Sequence, residues 1–69
     1  SNVYVYERKY GEHSAVVIMN GSDEPQEINL TPYREVLPAA SATDFLSGRT
    51  VELGEKLSLE PRESLLLCF

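Results

Sequence analysis

The stretch Ser14-Ala15-Val16-Val17-Ile18-Met19, followed at once by the turn formers Asn20-Gly21-Ser22-Asp23-Glu24-Pro25, decides the fold of this 69-residue chain. An apolar run of this length, rich in β-branched residues and ended by a cluster of turn residues, is typical of a β-strand. Both faces of the run are apolar, so we predict a central strand that is covered on both sides.

Strand patterns continue on either side of this run. In residues 3–9, valine alternates with tyrosine, so Tyr4 and Tyr6 project from one face, and Tyr10-Gly11-Glu12-His13 is typical of a turn. Ser47-Gly48 is predicted to form a tight hairpin turn. Further strands are predicted downstream at residues 26–30, 43–46, 49–53, 56–60 and 63–69.

The only helical signal begins at Thr31-Pro32, a capping hydroxyl followed by proline at the first helical position. Residues 33–37 could form one turn before Pro38 ends it. With seven or eight short strands separated by turn signals, the sequence predicts an all-β fold, a small two-sheet antiparallel sandwich with Greek-key-like connections. Residues 1–69 are expected to form one domain.

Composition excludes several classes of partner. The net charge of −5, with scattered Lys and Arg, argues against nucleic acid. No apolar run approaches the roughly 20 residues of a membrane span. The single cysteine allows no internal disulfide, and the sequence offers neither a metal-ligand cluster nor a cofactor motif. A chain this small usually needs a disulfide, a metal or a partner to help stabilise it, so a partner surface is the remaining candidate. Ser1-Asn2 is typical of a tag remnant, which would make residue 3 the start of a fragment.

The sequence contains no recognisable set of catalytic residues. His13 stands beside Glu12 at a predicted turn, without a nucleophile elbow or a glycine-rich loop. Cys68, between Leu67 and Phe69, is expected to be a buried small hydrophobe. Asn20 and Asn29 each begin a glycosylation triplet, a pattern that often arises by chance. The exposed carboxylates are expected to be solvated surface charge, and they lie in turns or on polar strand faces: Asp23, Glu24, Glu27, Glu52, Glu55, Glu60 and Glu63.

Tyr4 and Tyr6 are the candidate site residues. Three interpretations remain open: packing against another domain, stacking on sugar rings, and packing in the sandwich core. The chain contains no tryptophan, which counts against a sugar-stacking platform.

Four segments together resemble the C-terminal domain of α-amylase-superfamily glycoside hydrolases of the neopullulanase and cyclomaltodextrinase type. The closing residues 56–67 (KLSLEPRESLLL) are similar to that family's L-x-L-x-P-x-x-S/G stretch and final apolar strand. Residues 44–51 (DFLSGRTV) are similar to its D-L-L-T-G hairpin. Residues 3–8 (VYVYER) and 15–22 (AVVIMNGS) resemble its opening strand pair, and residues 33–37 (YREVL) fit its connection.

The resemblance implies a non-catalytic C-terminal accessory domain that packs on and stabilises the catalytic (β/α)₈ barrel of the same chain. The parent enzyme would hydrolyse α-glucosidic bonds in starch fragments, cyclodextrins or pullulan with retention. The barrel's Asp, Glu and Asp have no counterparts here, so the resemblance transfers no catalytic residue to this sequence. The alternative is a carbohydrate-binding module in which Tyr4 and Tyr6 make weak contact with an α-glucan.

Overall fold

A computed structural model describes residues 2–69 and contains seven strands in antiparallel pairs. Ser1 of the Ser1-Asn2 pair lies outside the described residues. The strands are β1 (Val3–Tyr10), β2 (His13–Asn20), β3 (Gln26–Asn29), β4 (Ser41–Thr43), β5 (Thr50–Glu52), β6 (Lys56–Leu59) and β7 (Ser64–Cys68). The predicted all-β fold is confirmed. The described residues form seven strands, the smaller of the two predicted numbers.

The strands form one three-stranded sheet and two ribbons. The sheet has the order β1-β2-β7, and the ribbons are β3-β6 and β4-β5. An isolated bridge between Asp44 and Leu67 joins the end of β4 to the free edge of β7. The β4-β5 ribbon therefore continues the three-stranded sheet, and this architecture agrees with a small β-sandwich.

One core lies on the inner face of the three-stranded sheet. Alternation along β2 buries Val16 and Ile18, and β7 adds Leu65 and Leu67. The opposing side comes from the ribbons and connections: Leu30, Leu37, Val51, Leu53, Leu57 and Leu59.

The outer face of β2 differs from the prediction. Ala15 and Val17 are only half-buried, and Met19 is 37 % exposed. The prediction that β2 is covered on both faces is therefore wrong for the described residues. The ribbons and connections that form the second layer pack only against the inner face of the sheet. An apolar sheet face is left without a covering layer.

The turn between β1 and β2 is confirmed as a two-residue hairpin loop. Tyr10 pairs with His13, which leaves Gly11 and Glu12 as the loop. Gly11 has a φ of 62°, and Glu12 has no positive φ, as in a type II′ turn. Glycine is favoured here because it adopts a positive φ without the steric penalty of a Cβ atom.

The second hairpin differs from the prediction. Thr43 pairs with Thr50, so the connection spans residues 44–49 and the predicted two-residue turn Ser47-Gly48 is wrong. The longer loop closes through Gly48, which has a φ of 80°. Its backbone N–H donates to the carbonyl oxygen of Asp44 at 2.7 Å.

The predicted helical turn exists, but its cap is different. A 3₁₀ turn covers Thr31–Tyr33, and the hydrogen bond from the Leu37 N–H to the Tyr33 carbonyl oxygen continues it. Thr31 lies inside the turn, so its hydroxyl does not cap it. Instead, the Thr31 N–H donates to Oδ1 of Asn29 at 2.9 Å.

Candidate functional site

The outer face of the three-stranded sheet presents eleven side chains in four rows across the strands, and we call it the tyrosine face. The rows follow from the strand register and from the alternation of side chains. They are Tyr4–Met19–Ser64, Tyr6–Val17–Leu66, Arg8–Ala15–Cys68 and Tyr10–His13.

The tyrosines lie in the open. Tyr4 is 48 % exposed, Tyr6 56 % and Tyr10 64 %. Their alternation with Val3 and Val5, which pack against the core, places them on the solvent side of β1. The interpretation of Tyr4 and Tyr6 as sandwich core is therefore wrong, whereas domain packing and sugar stacking both remain compatible with their exposure.

The charge of the tyrosine face differs from that of the whole chain. The chain has eleven Asp and Glu residues, and none of them occurs in the four rows. Arg8 and His13 are the only basic side chains there. Depletion of carboxylates together with enrichment in Tyr, Met and Arg is the composition that distinguishes the core of protein interfaces.

An open groove of about 420 Å³ lies at one end of this face. Its walls are Tyr10, His13, Ser14, Ala15, Thr43, Phe45, Cys68 and Phe69. Cys68 is an exposed free thiol, so its expected burial is wrong. It lies opposite Ala15 on the outer face, whereas Leu65 and Leu67 take the inner positions of β7.

A buried carboxylate holds the loop of residues 44–49 against β7. Asp44 is 2 % exposed. Its Oδ1 accepts hydrogen bonds from the N–H groups of Leu66 at 2.9 Å and Leu46 at 3.1 Å. Its Oδ2 accepts from the Ser47 hydroxyl at 2.7 Å. The contact from Asp44 to Leu46 is an Asx turn, and the contact to Leu66 ties that turn to the sheet.

Burial of the Asp44 carboxylate acts to raise its pKa, since it disfavours the charged form. The hydrogen bonds from the Leu66 N–H, the Ser47 hydroxyl and the Leu46 N–H act in the opposite direction and prevail, so the pKa lies below its ordinary value. A general acid needs a raised pKa. Asp44 therefore stays ionised at neutral pH and serves as a structural acceptor.

Asn20 joins two turns in the interior. Its Nδ2 donates to the carbonyl oxygens of Glu24 at 2.9 Å and Glu60 at 3.0 Å, and its Oδ1 accepts from the Ser22 N–H at 2.9 Å. The side chain is 1 % exposed. Both amide protons are used, so this glycosylation triplet is inaccessible in the folded chain.

Chemistry elsewhere in residues 2–69 is sparse. This part of the chain contains no group of three or more His, Cys, Asp or Glu side chains placed to hold a metal ion. None of its helices is long and apolar enough to cross a membrane. His13 lies at the exposed start of β2, in the groove.

Sequence reasoning missed Phe45 and Leu46 as site residues. They are 64 % and 63 % exposed on the loop that Asp44 holds. The available signal was the spacing of Asp44 and Ser47 before Gly48, which is typical of an Asx turn rather than of a strand.

Comparison with known families adds one finding. Residues 1–68 match the family model described as the cyclo-malto-dextrinase C-terminal domain.

Proposed function

The chain belongs to the cyclo-malto-dextrinase C-terminal domain family, and from this premise we propose that it packs on and stabilises the catalytic barrel of an α-glucan-hydrolysing enzyme through its tyrosine face. Domains of this family are non-catalytic accessory domains of α-amylase-family enzymes. In this proposal the parent is a retaining glycoside hydrolase whose nucleophile and acid/base residue lie in the barrel.

The uncovered apolar sheet carries the proposal. Val17, Met19 and Leu66 lie at the centre of a face that has tyrosines at its edge and no carboxylate. A solvated antiparallel sheet normally alternates apolar and polar faces, but β2 is apolar on both. Contact with an apolar barrel surface would remove these side chains from water, a gross gain of about 25 cal/mol per Å² of apolar area that is partly offset by the cost of ordering the contact.

The exposed thiol of Cys68 gives a direct test. In the isolated chain we expect rapid alkylation, because the side chain is exposed. In the parent enzyme we expect at least about tenfold slower alkylation of the same cysteine, because the docked barrel covers the tyrosine face. Mass spectrometry of the peptide that contains Cys68 would measure both rates. Equal rates in the two proteins would contradict packing through this face.

Stability of the parent provides the second measurement. If the barrel alone kept the full stability and activity of the parent enzyme, the stabilising role would be rejected. A lowered Tm without this domain supports it, since docking adds stability by mass action.

The exposure of Tyr4 and Tyr6 favours one second candidate function, a carbohydrate-binding module. Neighbouring outward positions on a strand are about 7 Å apart, so the two rings could present successive faces to an α-glucan. This candidate predicts calorimetric binding of maltoheptaose by the isolated chain at millimolar concentration. The heat of binding should be lost with Tyr4→Ala or Tyr6→Ala. If the unmodified chain showed no heat of binding, glucan binding would be rejected.

A further inference from the structure

Two adjacent apolar side chains stand out beside the tyrosine face. Phe45 and Leu46 are 64 % and 63 % exposed, although they directly follow the buried Asp44. Both side chains keep most of their apolar surface in water, and contiguous exposed apolar patches mark interaction sites.

The position of Phe45 makes this pair continuous with the tyrosine face. The Phe45 N–H donates to the Leu66 carbonyl oxygen at 2.8 Å, on the edge of β7 that faces away from β2. This backbone bond places Phe45 directly beside Leu66 of the row Tyr6–Val17–Leu66. Phe45 also lines the groove together with Tyr10 and Cys68.

The loop that presents the pair is held in place at both ends. The Asp44 N–H donates to the Arg49 carbonyl oxygen at 2.8 Å, in addition to the bonds that the Asp44 carboxylate accepts. At the far end, Arg49 forms a 2.6 Å ion pair with Glu63. A loop that is already ordered loses little conformational entropy when it binds, which favours a strong local contribution to docking.

We propose that Phe45 and Leu46 are the anchor of the docked state, inserted together into an apolar pocket on the surface of the catalytic barrel. This inference rests on the proposed function and adds the residues that dominate the contact. The barrel is the occupant that the face favours, since Leu46 offers no ring for sugar stacking and a face without carboxylates fits an apolar protein surface. Anchors of this kind commonly dominate an interface while surrounding contacts contribute little.

The test uses the parent enzyme carrying Phe45→Ser together with Leu46→Ser. We expect Cys68 to be alkylated at least about tenfold faster than in the unmodified parent, because loss of an anchor raises the undocked population. The parent's Tm should fall by several degrees. In the isolated chain the same double substitution should leave the urea midpoint unchanged, because both side chains are already exposed.

Glu55→Ser is the matched control, since Glu55 is exposed in the connection between β5 and β6. It should leave both the alkylation rate of Cys68 and the Tm of the parent enzyme unchanged. Tyr6→Ser separates this inference from the proposed function. Faster alkylation with Tyr6→Ser but not with the double substitution would overturn the anchor and leave docking through the tyrosine face intact.

Two further outcomes have defined meanings. Alkylation in the unmodified parent as fast as in the isolated chain would reject the proposed function and the anchor together. Protection of Cys68 in the isolated chain that disappears on dilution would identify a second copy of this chain as the occupant and overturn the assignment to the barrel.

Discussion

Asp44→Ala is expected to lower the free energy of unfolding of the isolated chain by about 3 kcal/mol at pH 7. The substitution removes a buried acceptor of three hydrogen bonds and leaves the Leu66 N–H without its partner. Hydrogen bonds to a charged group contribute about 1.5–3 kcal/mol, and an unsatisfied buried donor costs about 1–3 kcal/mol. A domain of this length has a total stability of roughly 3–10 kcal/mol, so the substitution should remove about a third of it or more.

Urea denaturation followed by far-ultraviolet circular dichroism would measure this loss. Asp44→Asn is the matched variant, because its remaining Oδ1 can still accept from the Leu66 and Leu46 N–H groups, and it should cost about 1 kcal/mol. Equal urea midpoints for Asp44→Ala and the unmodified chain would show that the loop does not depend on the carboxylate.

The charge of Asp44 also predicts a pH dependence. Its pKa is lowered from the ordinary value of 3.8, so the folded state binds the proton less readily than the unfolded state. The stabilising contribution is complete above pH values near 3.8 and is lost as the pH falls through the folded-state pKa. The stability difference between the unmodified chain and Asp44→Asn should therefore shrink as the pH falls from about 5 to 2. A constant difference over this range would contradict an ionised Asp44.

The strands were predictable because their signals are local. Val3, Tyr4, Val5 and Tyr6 alternate within one strand, so the outward position of the tyrosines follows from the period of two. The turn at Gly11 likewise depends on adjacent residues alone. These two local signals are enough to predict β1, the edge strand of the tyrosine face, and the turn that connects it to the central strand β2.

The rest of the site depends on contacts between residues distant in the sequence. Asp44 meets Leu66, 22 positions away, and this contact turns a predicted strand end into a loop with Phe45 exposed. Residues 65–69 are apolar at every position, so alternation could not tell which side of β7 faces out. The register with β2 decides it and brings Cys68 to the surface.

Asn20→Asp is expected to cost about 3 kcal/mol at pH 7, although the two side chains have nearly the same shape. The Asn20 amide donates to the carbonyl oxygens of Glu24 and Glu60, the second of them 40 positions away. A carboxylate would place a charged acceptor against both carbonyl oxygens, with its desolvation uncompensated. The turn after β2 and the connection before β7 should then separate.

Asn29→Asp is the matched control for this change. Asn29 is exposed, and its Oδ1 accepts from the Thr31 N–H, an interaction that a carboxylate keeps. We expect the free energy of unfolding of Asn29→Asp, obtained from its urea midpoint, to lie within about 0.5 kcal/mol of that of the unmodified chain. Equal losses at positions 20 and 29 would show that added negative charge in a chain of net charge −5 accounts for the effect, rather than burial of the new charge against two carbonyl oxygens.

The pH dependence of Asn20→Asp should have the opposite sign to that of Asp44. Burial against two carbonyl oxygens would raise the pKa of the new carboxyl above its unfolded value of about 3.9. The folded state then binds the proton more readily, so the cost relative to the unmodified chain is small below about pH 4 and grows as the pH rises to the folded-state value. Urea midpoints of both chains at pH 3 and pH 7 would measure it. If the urea midpoints of the two chains differed as much at pH 3 as at pH 7, the lost hydrogen bonds, and not the buried charge, would account for the loss of stability.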